Sequence, residues 1–398
     1  MTVRVVVSCV FLLVHASRTE GNLGRRLASL DGLECIHNEE FSRAHAIYDS
    51  LIAADPDRPE GYLGKALAYW DEGLILEDGE RFDRETHRFL KEVIRVSEKE
   101  VERRGESAEM MFWLGSAYGL RSTLAMVRGR VLEGVTDGLK SRAFLRRSVD
   151  LNPDLVDAHF GLGLMDYVVS RKPRILRFVS RLLFLPEGDR AAGLAAIGRA
   201  AKEGTYCRSH AISSRAFIEL YYEKDPAEAL LRFAQLLERY PNSLDFRIRY
   251  LDAAFSLAQR GRTRTRHGLI DSARSVRKIA NERGWTLERW TRTKLIFIEG
   301  FGHYSNAAFE PAKEFMMRYV QEADDKSWLL GPAQLMLGKL SDIEGDRPAA
   351  IERYQRALKR ENVWGTHAEA RIYMKRPYTG RETFSRPHDL VRRYPERP

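Results

Sequence analysis

The sequence predicts an all-α fold made of helix hairpins stacked in series, and three observations predict it. A frame of small and aromatic residues recurs along the 398-residue chain with a period of about 34 residues. Between frame positions, apolar residues return at helical spacing, as Phe82, Phe89, Leu90, Val93, Ile94 and Val101 do. Strand signals are almost absent, since no alternating Val/Ile/Thr run is bounded by hairpin turns.

The clearest unit lies near the C-terminus, where Gly338, Ala350, Tyr354 and Ala357 follow one another at spacings of twelve, four and three. The same frame fits Gly32, Ala44 and Tyr48, with Pro56 eight residues on, and fits Gly300, Ala312, Met316 and Tyr319 with two substitutions. Ala229, Phe233, Leu236 and Pro241 supply the second helix of a hairpin and its exit, and Gly193, Ile197 and Ala200 mark another second helix. Tyr62, Ala66 and Tyr69, then Leu114, Gly115 and Tyr118, then Gly161 and Leu164, mark first helices. The pattern resembles the tetratricopeptide repeat, which places small residues and an aromatic at these spacings. Its physics is steric: small residues let two helices approach, and the aromatic fills the wedge toward the next hairpin. The resemblance implies a right-handed α-solenoid of about eight such hairpins, with lengthened and inserted helices.

The elements follow in order. Residues 1–16 hold one basic residue, Arg4, then the apolar run Val5 to Val14 and a Val-His-Ala end. These features match a secretory signal peptide cleaved before Ser17. The run falls short of the roughly twenty apolar residues that span a bilayer. The reading that follows is an exported bacterial protein, periplasmic or envelope-associated. If the segment is not a signal, the chain is cytoplasmic. The solenoid then occupies 17–374. Segments 70–108 and 119–147 exceed the repeat frame, the first through a lengthened second helix. Residues 262–268, Arg-Thr-Arg-Thr-Arg-His-Gly, read as an exposed loop. Residues 375–398 carry Pro377, Pro387, Pro395 and Pro398 and read as a basic, irregular tail.

An apolar fraction of 44% is ample for a packed core, and the mixed charges exclude a disordered chain. Three cysteines exclude a disulfide scaffold, and Cys35 and Cys207 read as two separate buried thiols. Lys plus Arg exceeds Asp plus Glu by nine. The excess concentrates at 171–181, at 260–294 and at 371–398. Residues 260–294 carry eleven Lys/Arg against three acidic residues, with Trp285 and Trp290 among them. Basic plus aromatic is a pattern for nucleic acid. The competing reading packs both tryptophans between helices with the arginines in water. An export signal favours that one, so nucleic acid is not the expected partner.

One stretch departs from generic repeats. It reads Gly161-Leu-Gly-Leu-Met-Asp-Tyr167, then Ser170-Arg-Lys-Pro173, a basic apolar segment, then Gly188-Asp-Arg190 and Gly193-Leu194. It is similar to the fungal inclusion-body clearance proteins and their animal tetratricopeptide-repeat counterparts, over about 35 residues. That resemblance implies an adaptor role near membranes or lipid bodies and no catalysis. Within the segment, Arg174, Arg177 and Arg181 share one helical face, with Ile175, Leu176, Phe178 and Val179 around them. A basic amphipathic helix over 173–185 can lie on an anionic membrane. It can also insert between repeats, apolar side inward.

No catalytic constellation stands out: there is no His-Glu-x-x-His, no phosphate loop and no Gly-x-Ser-x-Gly elbow. The ten histidines are scattered, and His159, His210 and His303 read as packing or surface residues. No metal site, cofactor or enzymatic activity is expected. A protein or peptide partner is expected in a concave groove lined by first helices. The candidate contacts are Trp70, Tyr118, Arg121, Asp166, Tyr167 and Arg171. Arg121 can clamp a partner's carboxylate, or pair internally with Asp166 or Asp189.

Overall fold

A computed structural model describes residues 24–75, 79–171, 187–260 and 268–380. The signal-peptide segment, the basic segment 173–185 with Arg174, Arg177 and Arg181, most of the Arg-rich loop and residues 381–398 lie outside the described residues.

The fold is all-α and of the solenoid class, with no strand among the described residues. In chain order the helices pair as α1 (24–37) with α2 (Phe41–Ala54), α3 (Pro59–Ile75) with α4 (Gly79–Arg104) and α5 (Ala108–Val127) with α6 (Val131–Leu151). Next come α7 (Val156–Ser170) with α8 (Arg190–Glu203), then α9 (Arg208–Tyr221) with α10 (Pro226–Arg239). The series ends with α11 (Leu244–Gln259) and α12 (Gly268–Glu282), α13 (Arg289–Ser305) and α14 (Phe309–Glu322), α15 (Leu330–Ile343) and α16 (Arg347–Leu358), and a last helix, α17 (Thr366–Lys375). The chain divides into two compact units, 1–216 with 236–243 and 217–235 with 244–398.

The repeat frame is the packing code of both units. In the first, the Tyr48 ring is wholly buried against glycines of two first helices, Gly32 of α1 and Gly64 of α3. A Cβ on Gly32 would meet the ring at 2.5 Å, and one on Gly64 would come closer still. Tyr48 also donates its hydroxyl to the Ser29 carbonyl at 3.0 Å, so the buried phenol is satisfied. Leu145 plays the same part further on, facing Gly115 of α5 and Gly161 of α7. Ser141, one turn earlier, donates to the Gly115 carbonyl at 2.7 Å. In the second unit Tyr354 lies on Gly338, and Met316 on Gly300.

The excess residues lengthen helices. α4 has 26 residues against 14 in α2. The second excess extends both helices of one hairpin, since α5 has 20 residues and α6 has 21. Gly115 and Ser141 are twenty-six residues apart where Gly32 and Ala44 are twelve, which adds about two turns to each helix.

Five of the hairpins turn on one left-handed residue, two positions before the second helix. Gly129 (φ 73°) and Gly345 (φ 82°) fill that position without a Cβ penalty, and Glu39, Lys224 and Ala307 fill it with one. The Gly188-Asp189-Arg190 motif is also structural. Gly188 has φ 73°, and a Cβ there would sit 2.5 Å from the Asp166 carbonyl oxygen. Asp189 caps α8 by accepting from the Ala191 and Ala192 N–H groups at 2.8 and 3.0 Å. Gly193 lets α8 lie against the backbone of Tyr167.

In the second unit, Phe255 meets Phe297 and Phe301 edge-on at 6.0 and 5.2 Å. The wholly buried Asp342 carboxylate accepts from Arg347, from the Tyr354 hydroxyl at 2.7 Å and from the Tyr378 N–H at 2.8 Å. It ties down the first residues of the segment read as a tail. Tyr378 is buried against Tyr373, so 376–380 are irregular but anchored.

These contacts generate a paired prediction. Gly64→Ala forces a Cβ into Tyr48 and destabilises by about 1–3 kcal/mol. Gly198→Ala, in the interior of α8 with open space around its Cα, stabilises by about 0.5–1 kcal/mol. Thermal melts followed by circular dichroism check both signs.

Candidate partner-binding groove

The first unit contains a groove of about 730 Å³, within the range of a site for a small ligand or a few side chains of a peptide. Its lining comes from α1, α2, α3, α5, α6 and α7 and the start of α9, and is mostly apolar. α5 explains why. Its residues are apolar nearly all round, so one side enters the core through Met110, Leu114 and Ala117 while another remains for the groove.

One wall is aromatic. Phe112 and Trp113 of α5 face Tyr206, at ring distances of 6.5 and 5.4 Å. Burial pushes the Tyr206 phenol up to about 12. Trp113 is 3% exposed, and its indole Nε1–H has no acceptor among the described residues. A buried indole N–H is normally paired, so this donor is an unsatisfied polar atom beneath the aromatic wall. Tyr206 is fixed by Asp157 of α7, whose carboxylate accepts from the backbone N–H groups of Thr205, Tyr206 and Cys207 at 3.1, 2.8 and 2.8 Å. These donors lie at the start of α9, where a carboxylate also complements the helix dipole. Burial and the same carboxylate push the Cys207 thiol up, so it stays protonated.

The lengthened hairpin supplies the rim. Met126, Val127, Val135 and Leu139 of α5 and α6 and Val168 of α7 line the groove and are all more than two-fifths exposed. Leu132 at the hairpin tip is 86% exposed. The basic side chains nearby are paired, Arg128 with Asp83 and Arg130 with Glu133. At the far end the groove meets His210 of α9, whose ring contacts that of His37 of α1 at a centroid distance of 4.5 Å. Asp71 of α3 brings a carboxylate oxygen to the same point.

The six residues read from the sequence as groove contacts lie elsewhere. Tyr118 stacks on Phe144 at 5.5 Å, and Tyr167 is buried against Gly193. Arg121 donates twice to Asp137, at 2.6 Å each, rather than to Asp166 or Asp189. Asp166 is held by Arg142 at 2.7 Å. Arg171 is exposed at the end of α7, and Trp70 is half-buried on α3. None of them lines the groove. The six lie on or beside helices that line the groove, at other positions. Both tyrosines turn toward the second helix of their own hairpin, and the groove takes neighbouring positions such as Leu120 and Leu164. The orphan Trp113 donor and the exposed rim follow from helix lengths and facing side chains, for which the sequence holds no local signal.

The basic stretch 260–294 is partly neutralised. Lys294 pairs with Asp252 at 2.9 Å, and Arg277 pairs with the buried Glu299. Trp290 is 40% exposed beside Trp328 and so does not pack wholly between helices. No described helix is long and apolar enough to cross a membrane.

Residues 37–85 match the tetratricopeptide repeat family. No curated protein matches the chain by sequence. Among solved structures, PilF of Pseudomonas aeruginosa is 12% identical with a TM-score of 0.40, over 66% of this chain and 97% of that one. Cut9, in the anaphase-promoting-complex assembly with Hcn1, is 12% identical with a TM-score of 0.42, over 86% of this chain and 53% of that one. Yeast Tom70 is 12% identical with a TM-score of 0.35, over 80% and 63%. The matched residues run from the end of α1 into α4, within the first two hairpins.

Proposed function

We propose that this chain is a non-catalytic protein–protein interaction scaffold, exported in a bacterium, whose first-unit groove takes an apolar segment of a partner protein. The observation that carries the reading is the apolar groove with its exposed apolar rim. An incoming peptide would bury the exposed rim of Met126, Val127, Val135, Leu139 and Val168. The repeat match and the likeness of 161–194 to the inclusion-body clearance proteins support an adaptor role. Export rests on the apolar run Val5–Val14. The alternative, a lipid-binding adaptor, rests on the arginine stripe of 173–185. Pairing of Arg128 and Arg130 at the rim leaves little positive charge there for anionic lipid and favours the protein partner.

A fluorescent amphipathic peptide with a Leu/Phe face serves as the test ligand in polarisation titrations. The double variant Leu139→Glu, Val168→Glu weakens binding at least tenfold, about 1.4 kcal/mol, with unchanged helicity. Equal affinity overturns the groove reading. Flotation with phosphatidylglycerol vesicles that is lost on changing Arg174, Arg177 and Arg181 to Glu transfers the role to the membrane.

Arg121→Ala behaves differently. It strands the buried Asp137 carboxylate and destabilises by about 3 kcal/mol. Peptide affinity at a temperature where the variant is folded stays unchanged. Intact-mass measurement after expression in a bacterium finds a chain beginning at Ser17, and a chain retaining residues 1–16 overturns export.

A further inference from the structure

Two histidines and a carboxylate that are remote in sequence converge inside the first unit. His37 ends α1, Asp71 lies on α3 and His210 lies on the first turn of α9. Their ligand atoms all fall within 4.8 Å of one another. An ion held tetrahedrally at about 2.0–2.1 Å sets its ligand atoms about 3.3 Å apart. The cluster therefore needs to contract by about 1.5 Å or less, which side-chain rotations can supply. We propose that His37, Asp71 and His210 form a binding site for a divalent transition-metal ion, Zn²⁺ foremost.

The chemistry of the donors fits. Two imidazoles with one carboxylate suit Zn²⁺ and its first-row neighbours and are a poor set for Mg²⁺ or Ca²⁺. Each imidazole can present one ring nitrogen to an ion while the other bonds elsewhere. Arg239, a cation that acts on His37, is bound by Glu34 at 2.7 Å, which offsets its repulsion of an incoming ion. The His37 ring is also walled by Tyr240 at 5.1 Å, whose hydroxyl lies 2.7 Å from the Ser209 hydroxyl and 3.0 Å from a Glu34 carboxylate oxygen. Such a frame fixes a ligand ring in place. Three protein ligands leave one tetrahedral position open, and His210 also lines the groove. The ion would tie the first, second and fifth hairpins together at the groove's end. The site stands independently of the groove's proposed occupant.

The test uses the full chain without a polyhistidine tag, stripped with a chelator. Zn²⁺ is titrated calorimetrically, and Co²⁺ is followed by its visible absorption. The wild type and a His159→Asn control bind one ion each, show the bands of low-coordinate Co²⁺ and melt several degrees higher with Zn²⁺. His210→Asn and Asp71→Asn weaken binding by more than about 100-fold, beyond the 10–100-fold of outer-shell changes. Asp71→Asn keeps the side-chain shape at a half-buried position, so it reports on binding even if the histidine variant loses helicity. Absence of binding by the wild type, or equal binding by folded Asp71→Asn and His210→Asn, overturns the proposal.

Discussion

The contact on which the rest of the structure depends is a bare glycine face against a large buried side chain. Tyr48 between Gly32 and Gly64, and Leu145 between Gly115 and Gly161, set how near successive first helices approach. At that separation a single Cβ is too large, so the constraint is steric and local to each hairpin. Everything built on it repeats: the left-handed turn residue, the wholly buried Ala44, Ala312 and Ala350, and the wedge beside them.

The constraint acts at the base of a hairpin and leaves its length open. α5 and α6 keep the Gly115–Leu145 contact and continue for about two turns more. Those turns carry Val127, Val131, Leu132 and Val135, which are exposed. The apolar rim is therefore a consequence of extending a standard hairpin beyond its packing contact. Asp157 complements this by joining the start of α7 to the start of α9 through three backbone N–H groups, which holds Tyr206 against Trp113.

Much of this was legible in the residues. Gly338, Ala350 and Tyr354 announced a hairpin by spacing, because steric fit is a property of residue size at fixed helical offsets. The excess in 70–108 announced a long helix for the same reason. The groove was not legible. Tyr118 and Tyr167 look like surface aromatics on a first helix, yet both point into their own hairpin. A difference of one or two residues rotates a side chain through 100° or 200°, and only a facing helix decides which direction is core.

By itself, the sequence determined the class of fold, the boundaries of most hairpins and the residues that seal them, since each depends on contacts within some forty residues. Tertiary structure alone decided what meets across the unit. It paired Arg121 with Asp137 and left the Trp113 indole without an acceptor among the described residues. It also brought His37, Asp71 and His210 to one point. Those meetings depend on the accumulated rise and rotation of several hairpins, a sum that no local pattern encodes.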